Sequence, residues 1–212
     1  MALVLGTNCG FVSSAPVDDP AETNGDDAGY AVAMKDSSPV GAVRVTEMGV
    51  WIDTAMGDTD ICLGIYTHDS GNDKPDDLVD STTFAKGTTA GWKTAVGLNF
   101  VISASTTYWV AFQFDNPGES VYTNYKGSGG DTEYKAGQTT LPADWGTSSG
   151  TVAWLFAVYA VWGAAAGTNS KINIGDAWKD IDAIKINIGD AWKDVSSAKI
   201  NIGDAWKTVY GS

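Results

Sequence analysis

Positive charge is scarce in this chain. Lys and Arg together number 13 against 26 Asp and Glu, a net charge of −13 with an isoelectric point near 4.2. Such a surface repels phosphate, which argues against nucleic acid as a partner. Sulfur and imidazole are scarcer still, with 2 Cys (Cys9 and Cys62) and 1 His (His68). These cannot complete a four-ligand zinc set. The two thiols either bridge the N-terminal strand to the rest of the chain or pack separately. Separate packing is favoured, because alternation sets Cys62 on the face opposite Ile61 and Leu63. No Gly-x-Ser-x-Gly turn is present, and His68 stands beside Asp69 in a polar segment with no patterned Ser or Cys partner. The 4 Glu, at positions 22, 47, 119 and 133, show no spacing that suits facing catalytic carboxylates. The expectation is a protein that is not an enzyme. Long apolar runs are absent too: the longest uncharged one, Val152 to Ala166, falls short of the roughly 20 residues of a membrane-spanning helix and is rich in strand formers. No membrane insertion is expected. Met1-Ala-Leu-Val-Leu-Gly6 carries no basic residue and does not read as a conventional secretory signal.

What the chain does have is a repeat. Lys-Ile-Asn-Ile-Gly-Asp-Ala-Trp-Lys occurs unchanged 3 times, starting at Lys171, Lys185 and Lys199, at a spacing of 14 residues. Within a unit Ile172 and Ile174 alternate with Lys171 and Asn173. Gly175-Asp176 then suits a two-residue hairpin connection, and the residues from Ala177 return antiparallel. A helix is the weaker reading, since Gly in mid-unit costs about 1 kcal/mol per repeat relative to Ala. One such hairpin is marginal in water, so the units are expected to bury their Ile and Trp residues against each other or against other copies. The expected assembly residues are Ile172, Ile174, Trp178, Ile186, Ile188, Trp192, Ile200, Ile202 and Trp206.

Charge divides the chain. From Lys171 to Ser212 there are 6 Lys and 6 Asp, so the whole of the −13 belongs to the residues before them. Between the two parts lies Gly163-Ala-Ala-Ala-Gly-Thr-Asn169, small and uncharged. The expected organisation is therefore an acidic domain over 1–162, a linker over 163–170 and three hairpins over 171–212.

The first domain reads as all-β. Ile61, Leu63 and Ile65 alternate with Cys62, Gly64 and Tyr66; Val96, Leu98, Phe100 and Ile102 form a second series; Tyr108, Val110, Phe112 and Phe114 form a third. Turn residues separate them, at Gly57-Asp58, Asp69 to Asp73, Asn116-Pro-Gly118 and Gly127 to Gly130, the rhythm of a sandwich. The apolar phase slips between Val45 and Met48, predicting a bulge near Glu47 or Gly49. Val152 to Trp162 is apolar in both phases and is expected in a central strand or against another chain. The overall expectation is a jelly-roll-like antiparallel β-sandwich followed by three hairpin repeats.

Two groups of residues could carry binding. Asp69, Asn72, Asp73, Asp76 and Asp77 offer hard oxygen ligands for Ca2+ within a short segment, and Asp18, Asp19, Asp26 and Asp27 form a second acidic group; neither has the helix-loop-helix calcium spacing. Trp92, Trp145, Tyr122, Tyr125 and Tyr134 lie near glycine-rich segments and are candidates for stacking on sugar rings.

Met1-Ala-Leu-Val-Leu-Gly-Thr-Asn8 with Gly10-Phe-Val12, Leu63-Gly-Ile-Tyr-Thr-His-Asp69, Ala90-Gly-Trp-Lys-Thr94, Thr106-Thr-Tyr-Trp-Val-Ala111 and the tandem Gly-Asp-Ala-Trp-Lys units together resemble structural and tail-fibre proteins of tailed bacteriophages. The resemblance implies a non-enzymatic surface or virion module, of fibre, spike or decoration type, located in the virion or on an extracellular surface, and the invariant, neutral repeat adds the expectation of a homo-oligomer, a trimer or a filament. Secreted carbohydrate-binding and adhesion modules share the Thr-Tyr-Trp strand, and a cell-surface glycan is the alternative partner. The resemblance brings no functional residue with it.

Overall fold

The computed structural model describes residues 1–55 and 60–164 (backbone only at 54 and 55) and the backbones of six later strands within 171–210. Contacts divide the chain into two units, Met1–Gly163 and Ala164–Ser212. The described residues of the first unit contain strands and no helix. In chain order these are β1 (Gly10–Val12), β2 (Thr23–Asp26), β3 (Tyr30–Ser37), β4 (Ala42–Ala55), β5 (Asp60–Asp69), β6 (Lys74–Ala85), β7 (Gly91–Val101), β8 (Thr107–Phe114), β9 (Val121–Lys126), β10 (Thr132–Ala136), β11 (Gly150–Val152), β12 (Leu155–Phe156) and β13 (Val158–Ala164).

They form two sheets. The first runs β1-β13-β4-β9-β12, with β7 also on β4 and β2 also on β9; the second runs β11-β10-β3-β8-β5-β6. The expected alternation places Ile61, Leu63 and Ile65 of β5 and Tyr108, Val110, Phe112 and Phe114 of β8 in the core between the sheets. Val32 and Met34 of β3 join them, facing Met48, Val50 and Ile52 of β4 and Val158 and Ala160 of β13 from the first sheet. Burying each large apolar side chain contributes about 1.5–3 kcal/mol relative to leaving it exposed. The arrangement is all-β, two-layered and sandwich-like.

Three local features differ from simple alternation. The pairing of β4 with β7 is irregular between Val45 and Glu47, where the apolar phase slips in the sequence. Across that irregularity Gly97 takes a φ of 74°, and Val96, expected in an inward series with Phe100 and Ile102, is 70% exposed. β1 pairs with β13 in parallel, a departure from the wholly antiparallel sheet that was expected. The apolar run from Val152 to Trp162 divides at Ala157. Its N–H donates to Asn124 O at 2.8 Å and its carbonyl accepts from Trp51 N at 2.8 Å, so the chain passes from the β12 edge to the interior position of β13.

The outer face of the second sheet is covered from within the chain. Ala31, Ala33, Ala111 and Cys62 leave a shallow surface on which Leu141, Trp145 and Tyr66 pack. Gly64 lets this happen: a Cβ there would lie 2.7 Å from Leu141 Cδ1. The segment is fixed by Tyr66 Oη donating to Pro142 O at 2.6 Å and by Trp145 N donating to Asp76 O at 2.9 Å. Cys9 lies in the core between the sheets and Cys62 under this covering segment, both as free thiols. Burial pushes the Cys9 thiol up to about 12, with the nearby Asp36 carboxylate adding to the rise.

In the second unit, β14 (Lys171–Ile174) pairs with β15 (Ala177–Asp180), β16 (Lys185–Ile188) with β17 (Ala191–Asp194), and β18 (Ala198–Ile202) with β19 (Ala205–Tyr210). All are antiparallel and all repeat one register: Ile172 opposes Lys179 and Asn173 opposes Trp178, as Ile186 opposes Lys193 and Asn187 opposes Trp192, and Ile200 opposes Lys207 and Asn201 opposes Trp206. The third pair adds an irregularity between Ala198 and Lys199.

Candidate functional site

At one edge of the sandwich the inner faces of the two sheets flank a half-open pocket of about 250 Å³. Register brings its walls together. Opposition of Tyr134 to Val32 and of Thr132 to Met34 sets β10 in phase with β3, so Tyr30, Val32, Thr132 and Tyr134 line the wall given by the second sheet. The other wall comes from Asp26 and Asp27 at the end of β2 and from Trp154 and Phe156 around β12, with Val152 closing one side.

The rings are held by each other. Tyr30 and Tyr134 meet edge to face, with centroids 5.9 Å apart and planes at 72°. Tyr125 stacks on one face of Trp154 at 4.2 Å and 15°, and Phe156 packs beside both. Thr132 Oγ1 donates to Trp154 O at 2.8 Å, tying the two walls. Gly130 backs this contact, for a Cβ there would stand 1.9 Å from Trp154 O.

The two carboxylates differ. Asp26 Oδ1 accepts from Val121 N at 3.0 Å and from Ala28 N at 3.2 Å, so it serves as a turn-forming acceptor. Asp27 is recessed. Its Oδ2 accepts from the Thr123 hydroxyl, its N–H donates to Val121 O at 3.0 Å and its carbonyl accepts from Tyr30 N at 3.2 Å. Burial pushes the Asp27 carboxyl up to about 7, the Thr123 hydrogen bond opposes the rise and the Asp26 charge adds to it. No Lys, Arg or His is among the described residues that line the pocket.

The five aromatic residues expected to stack on sugars are not gathered in one place. Tyr134 lines the pocket and Tyr125 supports it from behind Trp154. Trp145 is removed from the set: it is fully buried under the second sheet's covering segment, against Tyr66 at 5.1 Å, with Nε1 donating to Ser148 Oγ at 2.9 Å. Trp92 belongs to a different surface, the outer face of the first sheet. There it meets Trp51 at 5.5 Å and Tyr159 at 5.1 Å, and its Nε1 donates to Asp18 O at 3.2 Å. Tyr122 is half-buried on β9, out of phase with Thr123 and Tyr125, which serve the pocket.

The expected calcium segment does not converge either. Asp69 closes a turn, accepting from Gly71 N at 2.9 Å and from Asn72 Nδ2 at 2.6 Å, bonds that hold its carboxyl below the usual range. Asp73 turns instead to Lys35 at 2.8 Å, and this hydrogen bond lowers its carboxyl as well. Asp76 gives its carbonyl to Trp145 and Asp77 its N–H to Thr67 Oγ1 at 3.0 Å. Among the described residues no group of three or more His, Cys, Asp or Glu could hold a metal ion. His68 lies in this region, its Nδ1 accepting from Trp109 Nε1 at 3.2 Å and its Nε2 standing 3.7 Å from Asp73. The second acidic group divides, with Asp26 and Asp27 at the pocket and the Asp18 and Asp19 carbonyls accepting from Trp92 and the N-terminus.

Ile172, Ile174, Trp178, Ile186, Ile188, Trp192, Ile200, Ile202 and Trp206, the expected assembly residues, stand on described strand backbones, and their side chains lie outside the described residues. Sequence reading missed Tyr30 and Trp154 as site residues. Tyr30 begins a strand three residues past Asp27, and Trp154 stands in an uncharged run that reads as core. Comparison with known protein families, with characterised proteins and with solved structures found no match to this chain.

Proposed function

We propose that this chain is a non-enzymatic virion structural protein, of fibre, spike or decoration type, that assembles with copies of itself through its C-terminal hairpins and displays a jelly-roll-like sandwich. The observation that carries the reading is the thrice-repeated register of three separate two-stranded sheets. A two-stranded ribbon is marginal in water, and three or more strands with an apolar face are needed for independent stability. The register also sets Trp178 out of phase with Ile172 and Ile174. A regular ribbon of this sequence thus has apolar residues on both faces, and each face calls for a covering layer. Equal spacing of identical units supplies that layer from neighbouring units or neighbouring subunits, and either a closed trimer or an open filament satisfies it. Formal neutrality of the tail means that the ribbons themselves add no net repulsion between close-packed copies. Electron microscopy of the purified full chain tests the reading: particles of one closed symmetry or fibrils are expected, and a field of single small globules would overturn it.

A second reading, an extracellular carbohydrate-binding or adhesion module, is favoured by the half-buried Trp51 and Trp92 pair on the outer face of the first sheet. Tyr159 braces it, its hydroxyl donating to Glu47 Oε1 at 2.7 Å and lying 3.2 Å from Thr94 Oγ1. Rings fixed in this way lose little entropy when a sugar ring stacks on them. This reading needs no assembly, and a fibre that also held a glycan would combine the two.

A further inference from the structure

We propose that the pocket between β2, β3, β10 and β12 binds a methylated ammonium headgroup, a choline-like organic cation. The described lining residues of the pocket all belong to the first unit, and the site is distinct from the Trp51 and Trp92 face.

Three features of the pocket point to this ligand. First, its volume of about 250 Å³ lies below the usual ~300–1,000 Å³ of drug-sized sites, so it takes one headgroup and not an oligomer. Second, Tyr30, Tyr134 and Trp154 supply aromatic surface, and Val32, Val152 and Phe156 supply apolar surface to the lining. Methyl groups on nitrogen pack on such apolar surface, and the diffuse positive charge they carry is attracted to ring faces. A neutral sugar of the same size would turn hydroxyls onto two Val and one Phe and leave them without partners. Third, the charged groups lining the pocket are Asp26 and Asp27, with no cationic side chain among the described lining residues. An anionic ligand is thereby disfavoured and a cationic one attracted, and the net charge of the chain acts in the same direction.

Asp27 is the residue that gives the site its pH response. The other titratable side chains lining the pocket are Asp26 on the same turn, Tyr30 on β3 and Tyr134 on β10; β9 presents Thr123, which donates to Asp27 and does not titrate, and β12 presents Phe156. With its carboxyl raised to about 7, Asp27 is largely protonated in mildly acidic solution. A bound cation restores the charged form, so binding releases a proton below that pH, and affinity rises with pH until about 7 and then levels.

The test is titration calorimetry of the full chain with choline chloride, in low salt from pH 5.5 to 8, with potassium chloride and glucose as comparison ligands. Choline is expected to give saturable heat at millimolar concentration or below, strengthening with pH, while potassium and glucose give none. Asp27→Asn keeps an acceptor for Thr123 and removes the charge, and Tyr30→Ala removes a ring that is 38% exposed; each is expected to weaken choline binding by about tenfold. A melting temperature at or above that of the parent protein shows that a variant is folded. No saturable heat with choline, equal heat with potassium, binding of glucose in its place, or choline binding indifferent to both substitutions would each overturn the proposal.

Discussion

Asp27 shows how one residue can serve a site at the expense of the fold. In the unfolded chain its carboxyl titrates near the ordinary value of 3.8, and in the folded protein near 7, so between these values folding takes up a proton. Stability contributed at this position therefore falls as pH rises from about 4 to about 7, and the full penalty is present above that. Asp27→Asn is expected to stabilise the protein on the order of 1–3 kcal/mol at pH 8, with the gain shrinking toward pH 4, as read from urea unfolding at the two pH values. A destabilised variant at pH 8 would show that the Thr123 bond outweighs the buried charge. Little of this was legible beforehand. Asp26 and Asp27 read as one of two acidic groups, and nothing in their spacing told that Asp26 would be satisfied by backbone N–H groups while Asp27 would be recessed beside Trp154. The calcium segment does not gather its carboxylates for a related reason: Asp69 is engaged in a turn and Asp73 with Lys35, which local composition does not reveal.

At the scale of elements, period-two alternation carried most of the reading. The inward sets of β5 and β8 were legible because each strand buries one phase in the core between the sheets, and the phase slip in β4 marked its irregularity. Alternation did not reveal the segment over the second sheet. Its docking surface is made of what is missing from β3, β5 and β8, namely the side-chain bulk that Ala31, Ala33, Gly64 and Ala111 lack, and a Trp in a Gly- and Ser-rich stretch reads as exposed until that surface is seen. Trp145 is consequently a structural anchor. Trp145→Ala is expected to cost about 3–5 kcal/mol by removing the contact with Tyr66 and leaving a cavity, measured as a lower urea midpoint. A loss under about 0.5 kcal/mol, the range of ordinary surface substitutions, would mean that the segment is not anchored there. The aromatic residues that remain accessible are thus divided between the pocket and the Trp51 and Trp92 face, a division set by strand phase and not by proximity in sequence.

At the scale of the whole molecule, the chain joins a domain with its own core to three two-stranded ribbons that repeat one register. The expected boundary was a stretch of small uncharged residues over 163–170, and contacts divide the chain after Gly163. The hairpin period could be read because Gly-Asp recurs at equal spacing between an Ile pair and a Trp, a combination that suits strand, connection and strand. The sequence does not choose between closed rings and open filaments for the proposed assembly, because both impose the same pattern on one subunit. The account rests on the claim that the ribbons are completed by other copies of the chain. Light scattering on the full chain beside a chain ending at Gly167 measures this directly. The full chain is predicted to have the mass of a trimer or a larger polymer, and the shortened chain to be a folded monomer that melts as one cooperative unit. A full chain that stays monomeric across the accessible concentration range would contradict the claim.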